Sequence, residues 1–143
     1  MAAIKAFTDL EQSKKLVEIL PLESADMFIA DVISHKGQVH SYKFHVLATW
    51  GCKTFAEIKE RELEHVKFIP CWSLATLLGV IPQEIFDGEY VINITGGCDN
   101  RWILTYDHYE NKNHSYYGLS TGADNLIDAC VAMIEKLHEL KML

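Results

Sequence analysis

Apolar residues recur at helical spacing near both ends of the chain. In the stretch 10–20 they are Leu10, Leu16, Val17 and Leu20. Thr8 and Glu11 have the spacing of a capping box, in which each side chain binds a free backbone amide, and Pro21 ends the stretch. In the stretch 124–141 the apolar residues are Ile127, Cys130, Val131, Ile134 and Leu137. The pattern predicts one helix near each terminus.

Alternating apolar and polar residues predict a β-hairpin after the first helix. Its strands are Phe28–Ser34 and Val39–Ala48, and Gly37 lies in the turn between them, where a positive φ suits glycine. We expect the second strand to bury one face and to expose the other, as in many antiparallel sheets. The two alternating sets of this strand are Tyr42, Phe44 and Val46 against Ser41, Lys43 and His45.

The last third of the chain predicts three more strands. They are Glu89–Thr95, Arg101–Tyr109 and His114–Ser120, all rich in the β-branched and aromatic residues that strands favour. Short polar or glycine-containing loops separate them. This arrangement predicts an antiparallel meander.

The middle of the chain predicts two helices of different character. Thr54 and Glu57 repeat the capping-box spacing and open a charged helix to about His65, whose thin apolar stripe suggests a surface position. Pro70 and Pro82 then bracket the uncharged segment PCWSLATLLGVIP. With Ser73 as its N-cap, this segment predicts a short helix packed against a sheet.

The predicted strands come in groups instead of alternating with helices. This order indicates an α+β fold with a mostly antiparallel sheet of about five strands, made of the hairpin and the three-stranded meander. N-terminal, middle and C-terminal helices would pack on this sheet. The chain has 143 residues, no repeat and no linker composition, so we expect a single domain over 1–143.

Three stretches carry a resemblance to a family. They are Ile69–Pro82, the step Ala25-Asp26-Met27, and the ending from Asn125 through Leu137. Together they resemble a group of small uncharacterised proteins from phages and mobile elements of gut Bacteroidetes, which place a Trp-Ser-Leu segment ending in Pro mid-chain and finish with an acidic-start helix. The resemblance implies an accessory role in a phage or mobile element, and it brings no catalytic residues.

Charge and composition narrow the partners. A formal net charge of -7 with only scattered Lys and Arg argues against general nucleic-acid binding. The sequence contains no apolar run long enough for a membrane span and no signal-peptide pattern at its start, so we expect no membrane association and a cytoplasmic location. The four cysteines lack C-x-x-C spacing, and we expect reduced thiols.

Two constellations raise the question of a metal or a catalytic site. His35, His40 and His45 are five residues apart, so neighbouring members point to opposite faces of a strand and predict no metal site. Cys98 lies in the loop GGCDN, where a thiol nucleophile with His108 or His114 as its base is conceivable. The adjacent Asp99 would raise the thiol pKa and disfavour the thiolate. No glycine-rich phosphate loop occurs, and we expect no cofactor.

Aromatic residues concentrate on two neighbouring strands of the last third. The candidate binding site consists of Arg101, Trp102, Tyr106, Tyr109, His114, Tyr116 and Tyr117. Alternation places Trp102, Tyr106 and Tyr116 on one face of the sheet, and Arg101, Tyr109 and Tyr117 on the other. One face would pack under the closing helix, and the other would present tyrosines, whose rigid rings and hydroxyls suit recognition.

These observations favour a non-enzymatic binding protein. It would use the hairpin from Arg101 to Tyr117 to engage a host protein or to sequester a small ligand, for example a nucleotide-type signal, in the service of a phage or mobile element. A homo-oligomer interface is the expected place for such a cleft. The alternatives are a small hydrolase or transferase using Cys98, His108 and a carboxylate, and a structural interaction module marked by an exposed apolar patch on the Pro70–Pro82 segment.

Overall fold

The computed structural model describes residues 5–96, 101–112 and 114–143, with the backbone alone at Tyr117 and Gly118. Strands and helices are grouped, and the strand pairs are antiparallel, which confirms the α+β class. The described strands form two sheets, whereas the sequence predicted one. Residue contacts divide the chain into two compact units, Phe7–Thr76 and Leu77–Leu143, the second including Lys5 and Ala6. A single domain stays a prediction.

The first unit is built on a three-stranded antiparallel sheet with the order β2–β1–β3. Its strands are β1 (Met27–Ile33), β2 (Val39–His45) and β3 (Val66–Cys71). The pair β1–β2 is the predicted hairpin, and Gly37 in its turn has a φ of 78°. The sequence analysis missed β3, which pairs with the other side of β1. The central strand β1 is therefore the most buried of the three.

Strand β2 lacks the buried face that its alternation predicted. All seven of its residues are exposed, including Tyr42 at 52% and Phe44 at 43%. The chain leaves the strand at Val46, which is buried in a short 3₁₀ turn. Alternation correctly places Tyr42 and Phe44 on one face, but little covers the outer part of that face, so these rings remain in contact with solvent.

Helix α1 (Leu10–Val17) packs against β3, with a capping box one residue later than predicted. Asp9 is the N-cap and accepts from the Gln12 amide at 2.9 Å, while the Gln12 side chain accepts from the Asp9 amide at 3.1 Å. The hydroxyl of buried Thr8 accepts instead from the Trp72 amide at 3.1 Å. The N-cap is Asp9 instead of Thr8 because the Thr8 hydroxyl bonds to the backbone that follows β3, and so joins the N-terminal segment to this strand.

Helix α2 (Phe55–Lys59) is much shorter than the predicted helix to His65. Thr54 is its N-cap, as expected, and accepts from the Glu57 amide. Beyond the helix, the Glu62 carboxylate accepts from the Phe68 amide at 2.9 Å and binds the ammonium groups of Lys59 and Lys67. This carboxylate binds the backbone of β3, so the chain turns back at this point instead of continuing as a helix.

We expect Glu62→Gln to destabilise the protein at neutral pH by about 1–2 kcal/mol, because Gln replaces a charged acceptor of several hydrogen bonds. Hydrogen bonds from Lys59 and from the Phe68 amide lower the pKa of the Glu62 carboxyl from 4.5 to about 2. Its contribution to stability is therefore complete above pH 4.5 and disappears as the pH falls towards 2. Chemical denaturation across this range should show the two proteins converge at low pH. Exposed Glu60→Gln is the control, and an equal loss at both ends of the range would contradict the assignment.

The Pro-bracketed segment forms the predicted short helix but begins as a strand. Pro70 and Cys71 end β3, and helix α3 covers Leu74–Val80. Ser73 lies at the expected N-cap position, where its hydroxyl accepts from the Thr76 amide at 3.4 Å. The Ser73 amide donates to Asp26 at 2.9 Å, which fixes the start of the helix.

The second unit contains an antiparallel sheet of four described strands in the order β4–β5–β6–β7. They are β4 (Glu84–Ile85), β5 (Tyr90–Gly96), β6 (Trp102–His108) and β7 (Ser115–Ala123). Strands β5 to β7 are the predicted meander, and the short β4 was not predicted. The register between β6 and β7 shifts between Thr105 and Asp107.

Helix α4 (Leu126–Glu139) confirms the predicted C-terminal helix. Asn125 caps it by accepting from the Asp128 amide at 2.9 Å, and its apolar residues from Ile127 to Leu137 are buried. It packs on β6 and β7, where the Thr121 hydroxyl donates to the Ala129 carbonyl at 3.0 Å. No helix in the described parts of the chain has both the length and the apolar character of a membrane span.

Candidate functional site

One face of the β2–β1–β3 sheet is an open aromatic surface. Register places Phe28 and Ala30 of β1 beside Phe44 and Tyr42 of β2, and Ala30 beside Phe68 of β3. Side chains of directly paired residues lie on the same face of a sheet, so these rings form one continuous apolar patch. Together with residues of the following turns they line a cleft of about 510 Å³. We call it the aromatic cleft; its larger side chains are Phe28, Tyr42, Phe44, Trp50, Arg61 and Phe68.

Phe28 forms the floor of the aromatic cleft. Its ring is 1% exposed, stacks on Phe44 at a centroid distance of 5.4 Å, and meets Phe68 edge-on at 5.5 Å. The buried ring of Phe55 at the start of α2 also approaches Phe28, at a centroid distance of 6.5 Å. Packing from three sides fixes the floor, because rings at these distances and angles attract one another in addition to burying area.

Trp50 forms the rim of the cleft in an uncommon backbone conformation. It has a φ of 51° and is followed by Gly51 at 69°, so two successive residues are left-handed. A left-handed conformation is rare for a bulky non-glycine residue, and such strain persists only where the surrounding structure enforces it. The Cys52 amide donates to the Thr49 carbonyl at 2.9 Å and closes this turn. The turn holds the Trp50 ring 5.9 Å from Phe68, with 56% of the residue exposed.

Arg61 supplies the charge of the cleft. Its guanidinium lies 5.5 Å from the centroid of the Trp50 ring, which is a cation–π geometry. It is the single charged residue among those that line the cleft. Within the described residues, no carboxylate lies at salt-bridge distance from it, and neighbouring Glu62 binds Lys59 and Lys67 instead. Arg61 therefore forms no direct ion pair with a described carboxylate.

The lining of the cleft defines its chemistry. None of the residues that line it carries a carboxylate, an imidazole or a thiol. It does offer apolar rings, the Tyr42 and Thr49 hydroxyls, and one cation. Such a surface is suited to bind an apolar group that carries an anion.

The candidate residues of the aromatic hairpin do not form one site. Arg101 and Trp102 lie at one end of β6, and Tyr109, His114 and Tyr116 lie at the other end. These ends are about 20 Å apart, since a strand rises about 3.4 Å per residue. Tyr106 lies between them and is fully buried, with its hydroxyl donating to the Pro82 carbonyl. The side chain of Tyr117 lies outside the described residues.

At one end of the hairpin, aromatic rings fill the space around Tyr90. Its centroid lies 5.4 Å from Tyr116, 5.5 Å from His108, 6.0 Å from His114 and 6.1 Å from Phe86. Tyr90 is only 9% exposed, because these rings cover it. The rings of this cluster therefore contact one another around Tyr90, although Phe86 keeps 47% of its surface exposed.

We expect Tyr106→Ala to lower the free energy of unfolding by about 3–5 kcal/mol, the usual cost of deleting a buried ring. Burial raises the pKa of the Tyr106 hydroxyl to about 12, in keeping with its place in the core. Tyr109, which is 56% exposed, is the control, and Tyr109→Ala should change stability by about 0.5 kcal/mol or less. Equal stabilities of the two variants in urea denaturation would contradict this distinction.

The cysteine alternative depends on a residue outside the described part of the chain. Cys98 lies there, whereas Cys52, Cys71 and Cys130 are free and buried. Burial raises the pKa of the Cys71 thiol, and it raises that of Cys130 to about 12. Neither is a candidate thiolate at neutral pH, because the reactive form of a cysteine is the thiolate. Catalysis by Cys98 stays a prediction.

The carboxylate beside His108 is already bound. Burial alone would raise the pKa of Asp107, but hydrogen bonds from Ser115, Asn93 and Thr105 outweigh it and hold this pKa below its ordinary value. The Asp107 oxygens accept from Ser115 at 2.6 Å and from Asn93 at 3.0 Å. Asp107 therefore joins β5, β6 and β7 through its hydrogen bonds with Asn93 and Ser115.

Titration of the native protein with a disulfide reagent tests the thiols directly. We expect the three buried cysteines to react only as the protein unfolds, so any fast native reaction belongs to Cys98. Cys98→Ser should abolish that fast phase and leave the slow reaction of the others unchanged. A fast phase that survives in Cys98→Ser would show that a buried thiol is accessible.

The sequence analysis missed the aromatic cleft. Tyr42 and Phe44 were assigned to a buried face, and Trp50 and Arg61 were not considered. One available signal was Trp50 directly before Gly51, a bulky residue at a turn. A second signal was the absence of any carboxylate between Asp31 and Glu57 in an acidic chain.

In comparisons with known proteins, no family model, no curated protein and no solved structure matches this chain.

Proposed function

We propose that this chain is a non-enzymatic binding protein whose aromatic cleft holds an apolar group with an anion beside it. The observation that carries the proposal is Arg61, which lies over the exposed Trp50 ring at the rim of an otherwise uncharged cleft and forms no direct ion pair with a described carboxylate. Guanidinium groups suit this role, because they stack on aromatic rings and still donate to carboxylate or phosphate oxygens.

The size and exposure of the cleft support the same conclusion. A volume of about 510 Å³ lies within the range of small-ligand sites, about 300–1,000 Å³. Tyr42, Phe44, Trp50 and Leu63 keep between 43% and 59% of their surface exposed, which is unfavourable in water. Covering such surface contributes about 25 cal/mol per Å² of apolar area. A ligand with an apolar body therefore gains from burial, and Arg61 selects for a negative charge.

The proposal keeps the class of function that the sequence favoured and moves its location. In the hairpin from Arg101 to Tyr117, Arg101 lies at one end, where it donates to the Gly122 carbonyl, and Tyr109, His114 and Tyr116 lie at the other end. The accessory role in a phage or mobile element, the host partner and the homo-oligomer stay predictions. In the Pro70–Pro82 segment Trp72, Leu77 and Ile81 are buried, whereas Leu74, Leu78 and Val80 are partly exposed, and the interaction-module alternative stays a prediction.

Calorimetric titration with 4-biphenylacetate and its uncharged amide tests the cleft. The carboxylate should bind about tenfold more tightly, because a hydrogen bond to a charged group contributes about 1.5 kcal/mol or more. Arg61→Gln should bring the two affinities together by weakening only the carboxylate. Trp50→Ala should weaken both compounds, since both rings would stack on it.

Arg101→Gln is the matched control, because it removes an exposed arginine from the hairpin. It should leave the preference for the carboxylate intact. Loss of the preference in Arg101→Gln, with Arg61→Gln unchanged, would return the site to the hairpin. The proposal would be overturned if neither the carboxylate nor the amide bound the unmodified protein.

A further inference from the structure

Strand β2 has a free edge along its length. It is the outermost strand of the described sheet, and all of its residues are exposed. The Val46 amide donates to the Asp26 carbonyl at 2.9 Å, which sets the phase of hydrogen bonding to β1. In an antiparallel pair, alternate residues bond to the same neighbour, so the residues between them direct both backbone groups outward. The outward set is Val39, Ser41, Lys43 and His45, and the His45 carbonyl already accepts from the Thr49 hydroxyl at 2.8 Å.

The edge of β2 lies within a basic part of an acidic protein. The formal net charge is -7, yet no Asp or Glu occurs between Asp31 and Glu57, a stretch that contains Lys36, Lys43 and Lys53. These three lysines are exposed. Asp31, at the border of the stretch, is on β1 and accepts a hydrogen bond from Ser41, on the face opposite the aromatic cleft. The β2 edge, with Lys43 on the strand and Lys36 in the hairpin turn, is therefore locally basic, and the outward backbone groups of Val39, Ser41 and Lys43 pair with no other strand of the described sheet.

The aromatic cleft adjoins this edge. Tyr42 and Phe44 alternate with the outward set, and their rings line the cleft. A strand added beside β2 would place every second side chain on this face, next to these rings. The side chains between them would lie beside Lys43 on the other face.

We infer that β2 takes up an extended acidic segment of another protein as an additional strand, with apolar side chains of that segment entering the aromatic cleft. This inference rests on the proposed function and names the class of ligand. Backbone hydrogen bonds would provide affinity, and the cleft and the lysines would select alternating apolar and acidic side chains, as in other cases of strand addition.

Charge favours this occupant over a second copy of the chain. Antiparallel pairing of two β2 strands would bring the lysines of both copies to one surface, where the described residues between Asp31 and Glu57 offer no carboxylate to neutralise them. Like charges close together across paired strands are destabilising. An acidic segment has the opposite sign and removes this repulsion.

Fluorescence anisotropy with a labelled peptide as long as β2, in which Glu alternates with Phe and Val, tests the inference. Two further peptides carry N-methyl groups on one or the other alternate set of amides. We expect one methylated set to weaken binding at least about tenfold and the other to bind like the parent, because only one set of amides can face β2. A peptide with Lys in place of Glu should lose binding.

On the protein, Lys43→Pro removes an outward amide and Lys43→Gln keeps it. Lys43→Pro should weaken the parent peptide beyond the loss seen with Lys43→Gln, and both variants should still bind 4-biphenylacetate. Binding of that compound without binding of the peptide, or equal binding of both methylated peptides, would overturn the inference and leave the proposed function standing. A dimer of the unmodified protein in sedimentation that Lys43→Pro disrupts would also overturn it, in favour of a second copy.

Discussion

The packing of Phe28 between two edge strands is the interaction on which the candidate site depends. Phe28 lies in the central strand, and its ring contacts Phe44 of β2 and Phe68 of β3. It also approaches the ring of Phe55. From Phe68, ring contacts continue outward to Trp50, and from Trp50 to the guanidinium of Arg61. The position of the exposed Arg61 guanidinium thus depends, through this series of ring contacts, on Phe28, which is 1% exposed. A truncation of Phe28 would therefore affect stability and ligand binding together.

Two local features keep this surface available instead of letting it collapse into the core. The left-handed backbone at Trp50 and Gly51 holds the indole at the rim, at a cost of about 1–3 kcal/mol for a bulky residue. Glu62, the carboxylate next to Arg61, binds the Phe68 amide and two lysines, and so does not neutralise the arginine. In the cluster around Tyr90 the rings cover one another instead, although the residue types are similar. The aromatic cleft and the cluster around Tyr90 therefore differ in the residues that the fold places around their rings, and not in the types of ring.

The sequence predicted the elements whose signal is local. The apolar spacing of Ile127, Ile134 and Leu137 was sufficient for α4, and the β-prone runs after Glu89 were sufficient for the meander. Strand β3 was missed because Pro70 resembles a helix boundary, whereas an edge strand tolerates proline. Alternation placed Tyr42 and Phe44 on one face correctly, but only tertiary packing decides whether a face is covered.

For the candidate site residues of the hairpin, too, alternation predicts the face of the sheet but not whether that face is covered. Alternation predicts the face of the sheet on which Tyr106 lies, but it cannot show that Tyr106 is fully buried. Trp102 lies on the same face and is 39% exposed. The register shift between Thr105 and Asp107 is a further feature that alternation along the strands cannot predict. Cys98 and the side chain of Tyr117 lie outside the described residues, so their roles stay predictions.

The basic stretch between Asp31 and Glu57 connects the stability of the sheet with its selectivity. An exposed edge strand with apolar neighbours invites pairing between copies of a protein, and natural sheets commonly oppose this with lysine on the edge. Here the same lysines that would oppose self-association lie in a chain that is acidic elsewhere, so they also attract a segment of opposite charge. The same lysines thus disfavour pairing with a second copy of the chain and favour pairing with an acidic segment. The aromatic cleft beside them then distinguishes among acidic segments by their apolar side chains.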